Sequence, residues 1–277
     1  MTAAESAPRA SDDIPIDRYL VDWLRICPLQ LGGNSIMDYW FDCVENYSGR
    51  DLTYATDRIV AISGIASRFG LVEKSRYLAG HWESEVLRSL CWRRADSEAP
   101  SPLDSSPDYI APTWAWPSIG SKVTYMRYYS APAGKPVNVA TVLHAICHVG
   151  GSSPYGHVKD GYVLIRGKVI NLPFSLLRDR VSWDCHLHLE RGCWVRAISG
   201  QCDAETCRGV LTPNISDTDE SRLSFLYIQK DEYNYDALVL SKQEGGHYIR
   251  VGFGGERHLM PETNWLANAK EETVKII

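Results

Sequence analysis

The hydrophobic rhythm of this chain changes once, from helical to alternating, across the stretch Asp96-Ser-Glu-Ala-Pro-Ser-Pro-Leu-Asp-Ser-Ser-Pro-Asp108. Three prolines and a run of small polar residues there read as an exposed connection. Upstream, apolar residues recur at helical spacing. Asp17 to Cys27 places Leu20, Trp23, Leu24 and Cys27 on one face before Pro28. Ser35-x-x-Asp38 reads as a helix start, followed by Ile36, Trp40, Val44 and Tyr47. A further helix fits Thr56 to Phe69, with Gly70 after it, and a short one fits Trp82 to Leu90.

Downstream the period is that of strands. The predicted strands are Lys122–Tyr129, Val137–His148, Tyr162–Ile170, Asp184–Glu190, Cys193–Ile198, Leu223–Ile228, Ala237–Leu240 and Tyr248–Phe253. Gly245-Gly246 fits the turn between a last hairpin pair. The expected fold is therefore α+β: an N-terminal helical layer packed on an antiparallel β-barrel or sandwich. Residues 1–13 are expected to be a tail. Residues 14–277 form one domain, with a helical part at 14–95 and a β part at 109–260.

Composition removes several function classes. A net charge of −5 argues against a nucleic-acid surface. The start Met1-Thr-Ala-Ala-Glu-Ser6 does not read as a secretion signal, and no apolar run suits a membrane span. A cytoplasmic setting follows as the expectation, with the 8 Cys as reduced thiols and the Asn46-Tyr-Ser48 and Asn214-Ile-Ser216 patterns unused. Neither Gly-x-Gly-x-x-Gly ahead of a helix nor a phosphate-loop Lys occurs, and Gly-x-Ser-x-Gly is missing. No cofactor is expected.

Three constellations carry residue types suited to chemistry. Asp184, His186, His188 and Glu190 alternate on one strand face and suit zinc, but the wet face of an amphipathic strand is the favoured reading. Trp114 and Trp116 have period-two spacing between Pro112 and Pro117, which in an extended segment makes an indole shelf or a core anchor. Tyr125, Arg127 and Tyr129 alternate on another strand. There an Arg between phenols suits an enolate-like oxygen, and an exposed strand face is the plainer reading.

Four segments carry a family resemblance. They are Tyr47-Ser-Gly-Arg-Asp-Leu-Thr53 running into Asp57-Arg-Ile-Val-Ala-Ile-Ser-Gly64, then Tyr77-Leu-Ala-Gly-His-Trp82, Leu90-Cys-Trp92, and Ala111-Pro-Thr-Trp-Ala-Trp-Pro-Ser118. In this order they resemble the region beyond the signalling domain of fungal heterokaryon-incompatibility proteins, over residues 36–125. The looser segments Gly161–Gly167 and Tyr248–Gly252 resemble late strands of that region. His81 stands where that family carries Leu, and Glu83 where a basic residue is common.

The resemblance extends to short fungal proteins of secondary metabolism. It implies a cofactor-free enzyme for apolar small molecules. Such an enzyme would dehydrate a hydroxymethyl-tropolone to a quinone methide and join it to a terpene alkene by hetero-Diels–Alder addition. On that reading His81 is the proton source, Tyr125 and Arg127 steady the tropolone oxygens, and Trp82, Trp114, Trp116 and Tyr129 line the pocket. The other reading is a non-enzymatic interaction module. A homodimer is among the expected assemblies. Asp57 and Arg58 read as structural, with Arg58 paired to a carboxylate beneath the tryptophan motif.

Overall fold

The structure, a computed structural model, describes residues 35–50, 52–95, 108–125, 136–173, 181–183, 187–189, 192–194, 222–231, 234–257 and 265–277. The tail at 1–13, the helix at Asp17–Cys27 and most of the 96–108 connection lie outside the described residues.

Helix α1 (Ile36–Ser48) begins where the sequence signals it. The Ser35 amide donates to Asp38 Oδ2 at 2.6 Å, and the Ser35 hydroxyl donates to the same oxygen at 3.1 Å. Its inward face is Met37, Trp40, Phe41, Val44 and Tyr47. Helix α2 (Asp57–Phe69) buries Ile59, Ile62, Ala66 and Phe69 as the spacing predicts. Trp40 meets Phe69 edge-on at 5.2 Å, and the Tyr47 hydroxyl donates to the Arg58 carbonyl at 2.8 Å. These two contacts fix α2 antiparallel to α1.

The next segment departs from the expected helix Trp82–Leu90. Strands β1 (Tyr77–Leu78) and β2 (His81–Trp82) form a hairpin, so residues 81 and 82 are extended. A 3-10 turn at Glu83–Glu85 follows, and only then the short helix α3 (Val86–Ser89). The hairpin loop is Ala79-Gly80, with φ of 50° and 97°. Positive φ at both positions suits the two-residue loop of a twisted hairpin.

Gly80 is required there twice. Its carbonyl accepts from the indole nitrogens of both Trp40 and Trp116, each at 3.1 Å. A Cβ on it would stand 2.4 Å from Trp116 Nε1. Gly80→Ala is therefore expected to cost about 2–3 kcal/mol from the left-handed backbone plus the displaced indole. Urea denaturation measures this, and a loss under about 1 kcal/mol would show that the turn relaxes instead.

Strands β3 (Trp92–Arg94) and β4 (Val123–Tyr125) pair antiparallel, so the part read as helical also contains strands. The main sheet contains β5 (Val137–Asn138), β6 (Thr141–Val149), β7 (Val158–Pro173) and β8 (Val181–Trp183). Strands β9 (Leu187–Leu189) and β10 (Gly192–Trp194) form a separate hairpin. The sheet continues with β11 (Arg222–Lys230), β12 (Asn234–Lys242), β13 (Tyr248–Arg257) and, after helix α4 (Trp265–Asn268), β14 (Lys270–Ile276).

The strand order is β5-β11-β12-β13-β14-β7-β6, with β8 on β13 and an added pairing of β11 with β7. Val169 is partnered by Lys270 on one side and by Leu226 on the other. Strands β7, β11, β12, β13 and β14 thus pair in a circuit, and β7 is its spine.

Two boundaries of the sequence reading change here. The β part does not stop at residue 260, because β14 belongs to it. The pairings are also not all antiparallel: β13 and β14 run parallel at Tyr248↔Ile276. A parallel neighbour needs a crossover of about a dozen residues, and the chain between Arg257 and Lys270 supplies one.

The described residues gather in three apolar clusters. One joins α1 and α2 to Trp82, Trp92 and Trp116. A second joins Leu87, Leu90 and Trp114 to Val163, Leu226, Leu238 and Val274 of the sheet. The third gathers Phe225, Tyr227, Val239 and Val251 from alternate sheet positions with Trp265 and Leu266. The sheet is therefore buried on both faces along β11 to β13.

Candidate functional site

The described residues of the expected aromatic site lie inside. Trp82, Trp114 and Trp116 are between 0% and 1% exposed, and Tyr125 is 6% exposed. The segment around Trp114 is not extended. The Ala115 amide donates to the Pro112 carbonyl at 2.9 Å, and a 3-10 turn begins at Trp116. Period-two spacing therefore does not put the two indoles side by side. Trp114 enters the sheet-side cluster, and Trp116 enters the helix-side cluster.

Each indole is used by a different neighbour. Trp116 lies beneath the Arg58 guanidinium at 5.4 Å and meets Tyr47 edge-on. Trp82 is boxed by Trp40, Tyr77 and Tyr155. Trp114 faces His81, and its carbonyl accepts from Trp92 Nε1 at 3.0 Å. Tyr125 is not on an open strand face: it stacks on Phe41 at 4.3 Å. Burial there raises its phenol well above the usual range. Arg127 and Tyr129 lie outside the described residues.

His81 sits on β2, fully buried. Its Nδ1 is 2.7 Å from Ser89 Oγ. That hydroxyl also donates to the Val86 carbonyl at 3.1 Å. One hydroxyl has one proton. The network therefore assigns the imidazole proton to Nδ1, donated to Ser89, and leaves Nε2 as a bare acceptor. Nε2 has no hydrogen-bond partner among the described residues, and neither has Trp114 Nε1. Burial, and then the charge of Arg250, lowers the His81 pKa to about 3. The expectation that His81 supplies a proton at neutral pH is thus corrected, because the ring is already neutral there.

Sequence reasoning missed Arg250. It lies on β13, 4% exposed, with its guanidinium 3.4 Å from the centre of the Trp92 ring. Nη1 donates to the Leu90 carbonyl at 2.6 Å, and Nη2 donates to the Trp92 carbonyl. In the alternation Tyr248 to Phe253 a charged residue reads as the wet face. The only sequence signal against that was the Leu90-Cys91-Trp92 motif, whose carbonyls need donors. Arg58, also fully buried, donates to the carbonyls of Ser48 (3.2 Å) and Ser121 (2.7 Å). Two buried arginines thus tie helices, motif segments and sheet together through backbone oxygens.

Of the proposed zinc ligands, Asp184, His186 and Glu190 lie outside the described residues, and of His188 only the backbone is described. Among the described residues no group of three or more His, Cys, Asp or Glu stands together for a metal. No described helix is long and apolar enough to cross a membrane.

Comparison with protein-family models, curated proteins and solved structures finds no match. What the structure adds is a physical reason for the four motifs to occur together. Arg58 lies over Trp116 and Tyr47 meets it edge-on, Gly80 accepts from Trp116, and Trp92 donates to Trp114. Ring contacts and hydrogen bonds thus bring the four segments together around Trp114 and Trp116.

Proposed function

We propose that this chain works as a non-enzymatic interaction module. The observation that carries the reading is a reversal of roles among apolar side chains. The tryptophans that suited a substrate shelf are spent on the core. Meanwhile, among the described residues, four of the seven exposed large hydrophobics fall within residues 54–72: Tyr54, Val60, Leu71 and Val72, at 66%, 46%, 63% and 54% exposure. Val60, Gly64 and Ser67 share the outward face of α2, and Gly64 has open space before it. Exposed apolar side chains gathered in this way suit a contact surface.

The expected homodimer would use this face, α2 against α2. Sedimentation equilibrium tests it. Wild-type protein is expected to self-associate, and a Val60→Glu, Leu71→Glu double variant is expected to stay monomeric with its melting temperature unchanged. A wild-type protein that is monomeric at all concentrations removes the dimer. A variant that associates as wild type removes this face.

The enzyme reading keeps one observation in its favour. His81 Nε2 and the Trp114 and Trp82 indole nitrogens are buried without partners among the described residues, and such atoms are otherwise rare in a native core. In its specific form the reading is a cofactor-independent hetero-Diels–Alder coupling of a dehydrated hydroxymethyl-tropolone with a terpene alkene. The assay is product formation over spontaneous background. A rate above background that disappears in a folded Trp114→Phe protein would replace the module with the enzyme. For the fold, we read the strand circuit as a small barrel carrying the helical segments on the face that contains Leu226 and Val274. That placement rests on the shared cluster with Leu87, Leu90 and Trp114.

A further inference from the structure

A second surface feature lies away from the tryptophan core. Strand β11 pairs with β7 through Arg222–Leu226 and with β5 through Gln229 and Lys230. The chain at Val139 and Ala140 crosses between them, its amides donating to the Ile228 carbonyl, before β6 joins β7 at Arg166. Where β11 and β7 part, a cavity of about 420 Å³ opens.

Its walls are chemically divided. Arg166 and Lys168 stand two apart on β7 and so share a face, and Lys230 comes from the end of β11. Glu271 of β14 is the cross-strand neighbour of Lys168. Tyr235 and Leu266 supply the apolar wall. Three cations thus face one carboxylate in a chain whose net charge is −5. Arg166, Lys168 and Lys230 form no ion pair within 4 Å among the described residues. A chain with an acidic surplus has carboxylates to spend, yet spends only one here.

We propose that this fork is a binding site for a small organic anion: a phosphate or carboxylate carried on a flat apolar ring. The planar Arg166 fork and two ammonium groups suit the anionic oxygens. Tyr235 and Leu266 suit the ring, and Glu271 sets the orientation by repelling the anionic end. A nucleic-acid strand would need a continued basic track, so a single small ligand is the class that fits a pocket of about 420 Å³.

The test is isothermal titration of the full chain with 1-naphthyl phosphate, 1-naphthoate, 1-naphthol and inorganic phosphate. One naphthyl anion is expected to bind one-to-one, and which of the two binds more tightly separates phosphate from carboxylate. Affinity should fall about tenfold in an Arg166→Gln, Lys168→Gln variant and again in Lys230→Gln. It should fall with added salt as well. Melting temperatures should stay at the wild-type value, since all three side chains are exposed. Four results would each overturn the proposal: no saturable binding of either naphthyl anion, equal affinity in the triple variant, naphthol binding as tightly as the anions, or inorganic phosphate binding as tightly as naphthyl phosphate.

Discussion

Arg250→Leu is expected to cost about 3–5 kcal/mol, a large share of a total stability of about 5–15 kcal/mol. The guanidinium is buried and donates to the Leu90 and Trp92 carbonyls while lying on the Trp92 ring. Removing it leaves two buried carbonyls short of a donor, at about 1–3 kcal/mol each. It also removes a desolvated cation–π contact of about 2 kcal/mol. Leucine returns some apolar burial, which keeps the loss below the plain sum. Arg250→Lys separates charge from shape. An ammonium can reach one carbonyl but cannot lie flat on an indole while donating to two. The Lys variant should therefore lose most of the same stability in denaturant titrations. A Lys variant as stable as wild type would show that charge alone matters at this position.

The second large effect is on acid sensitivity. His81 is held neutral in the fold with a pKa of about 3, against an ordinary value of 6.5. The unfolded chain binds the proton first as pH falls, so folded stability drops with falling pH between those two values. It is fully present above about pH 6.5. The slope is about 1.4 kcal/mol per pH unit, several kcal/mol in all if the whole interval is traversed. His81→Leu removes this term and nothing else that titrates. The variant is expected to match wild type near neutral pH, or exceed it, since Leu leaves no unpartnered Nε2. Toward pH 4 it should be more stable than wild type by several kcal/mol. Parallel acid-denaturation curves for the two proteins would sink this account of His81.

Helices α1 and α2 were legible because their signals are local. Ser35 and Asp38 mark a start, and Ile59, Ile62, Ala66 and Phe69 mark a face; both survive into the structure unchanged. The central strands were legible for the same reason. Strand β14 was not. Its sequence Lys-Glu-Glu-Thr-Val-Lys-Ile buries only Val274 and Ile276, and its first four residues are exposed. It is a strand because β7 offers an unpaired edge far away in sequence. The hairpin at Ala79-Gly80 lacked the Asn-Gly signature of its turn class. Gly80 is held by two indoles from distant segments, which no local pattern records.

The candidate site was legible only as a set of residue types. Trp82, Trp114 and Trp116 were expected to line a pocket and lie in the core instead, and for Trp114 and Trp116 the choice between shelf and anchor depends on whether the backbone between Pro112 and Pro117 is extended. The turn that decides it is closed by the Ala115 amide, a feature without a side-chain signature.

The strand circuit also sets the order in which the protein is made and finished. Strand β7 is synthesised well before β14, so its edge along Val163–Val169 waits for Lys270–Ile276. The Thr113 amide and hydroxyl, beside the tryptophan motif, donate to the carbonyl of Ile277, and the Ile277 amide donates to the Tyr248 carbonyl. A nascent chain on the ribosome can assemble α1, α2 and their indoles as soon as they emerge. It cannot close the sheet until the β14 residues leave the tunnel. Through that interval β7 and β13 present open edges, which invite mispairing with neighbouring chains. Chaperones that shield strand edges should therefore raise the yield of this protein.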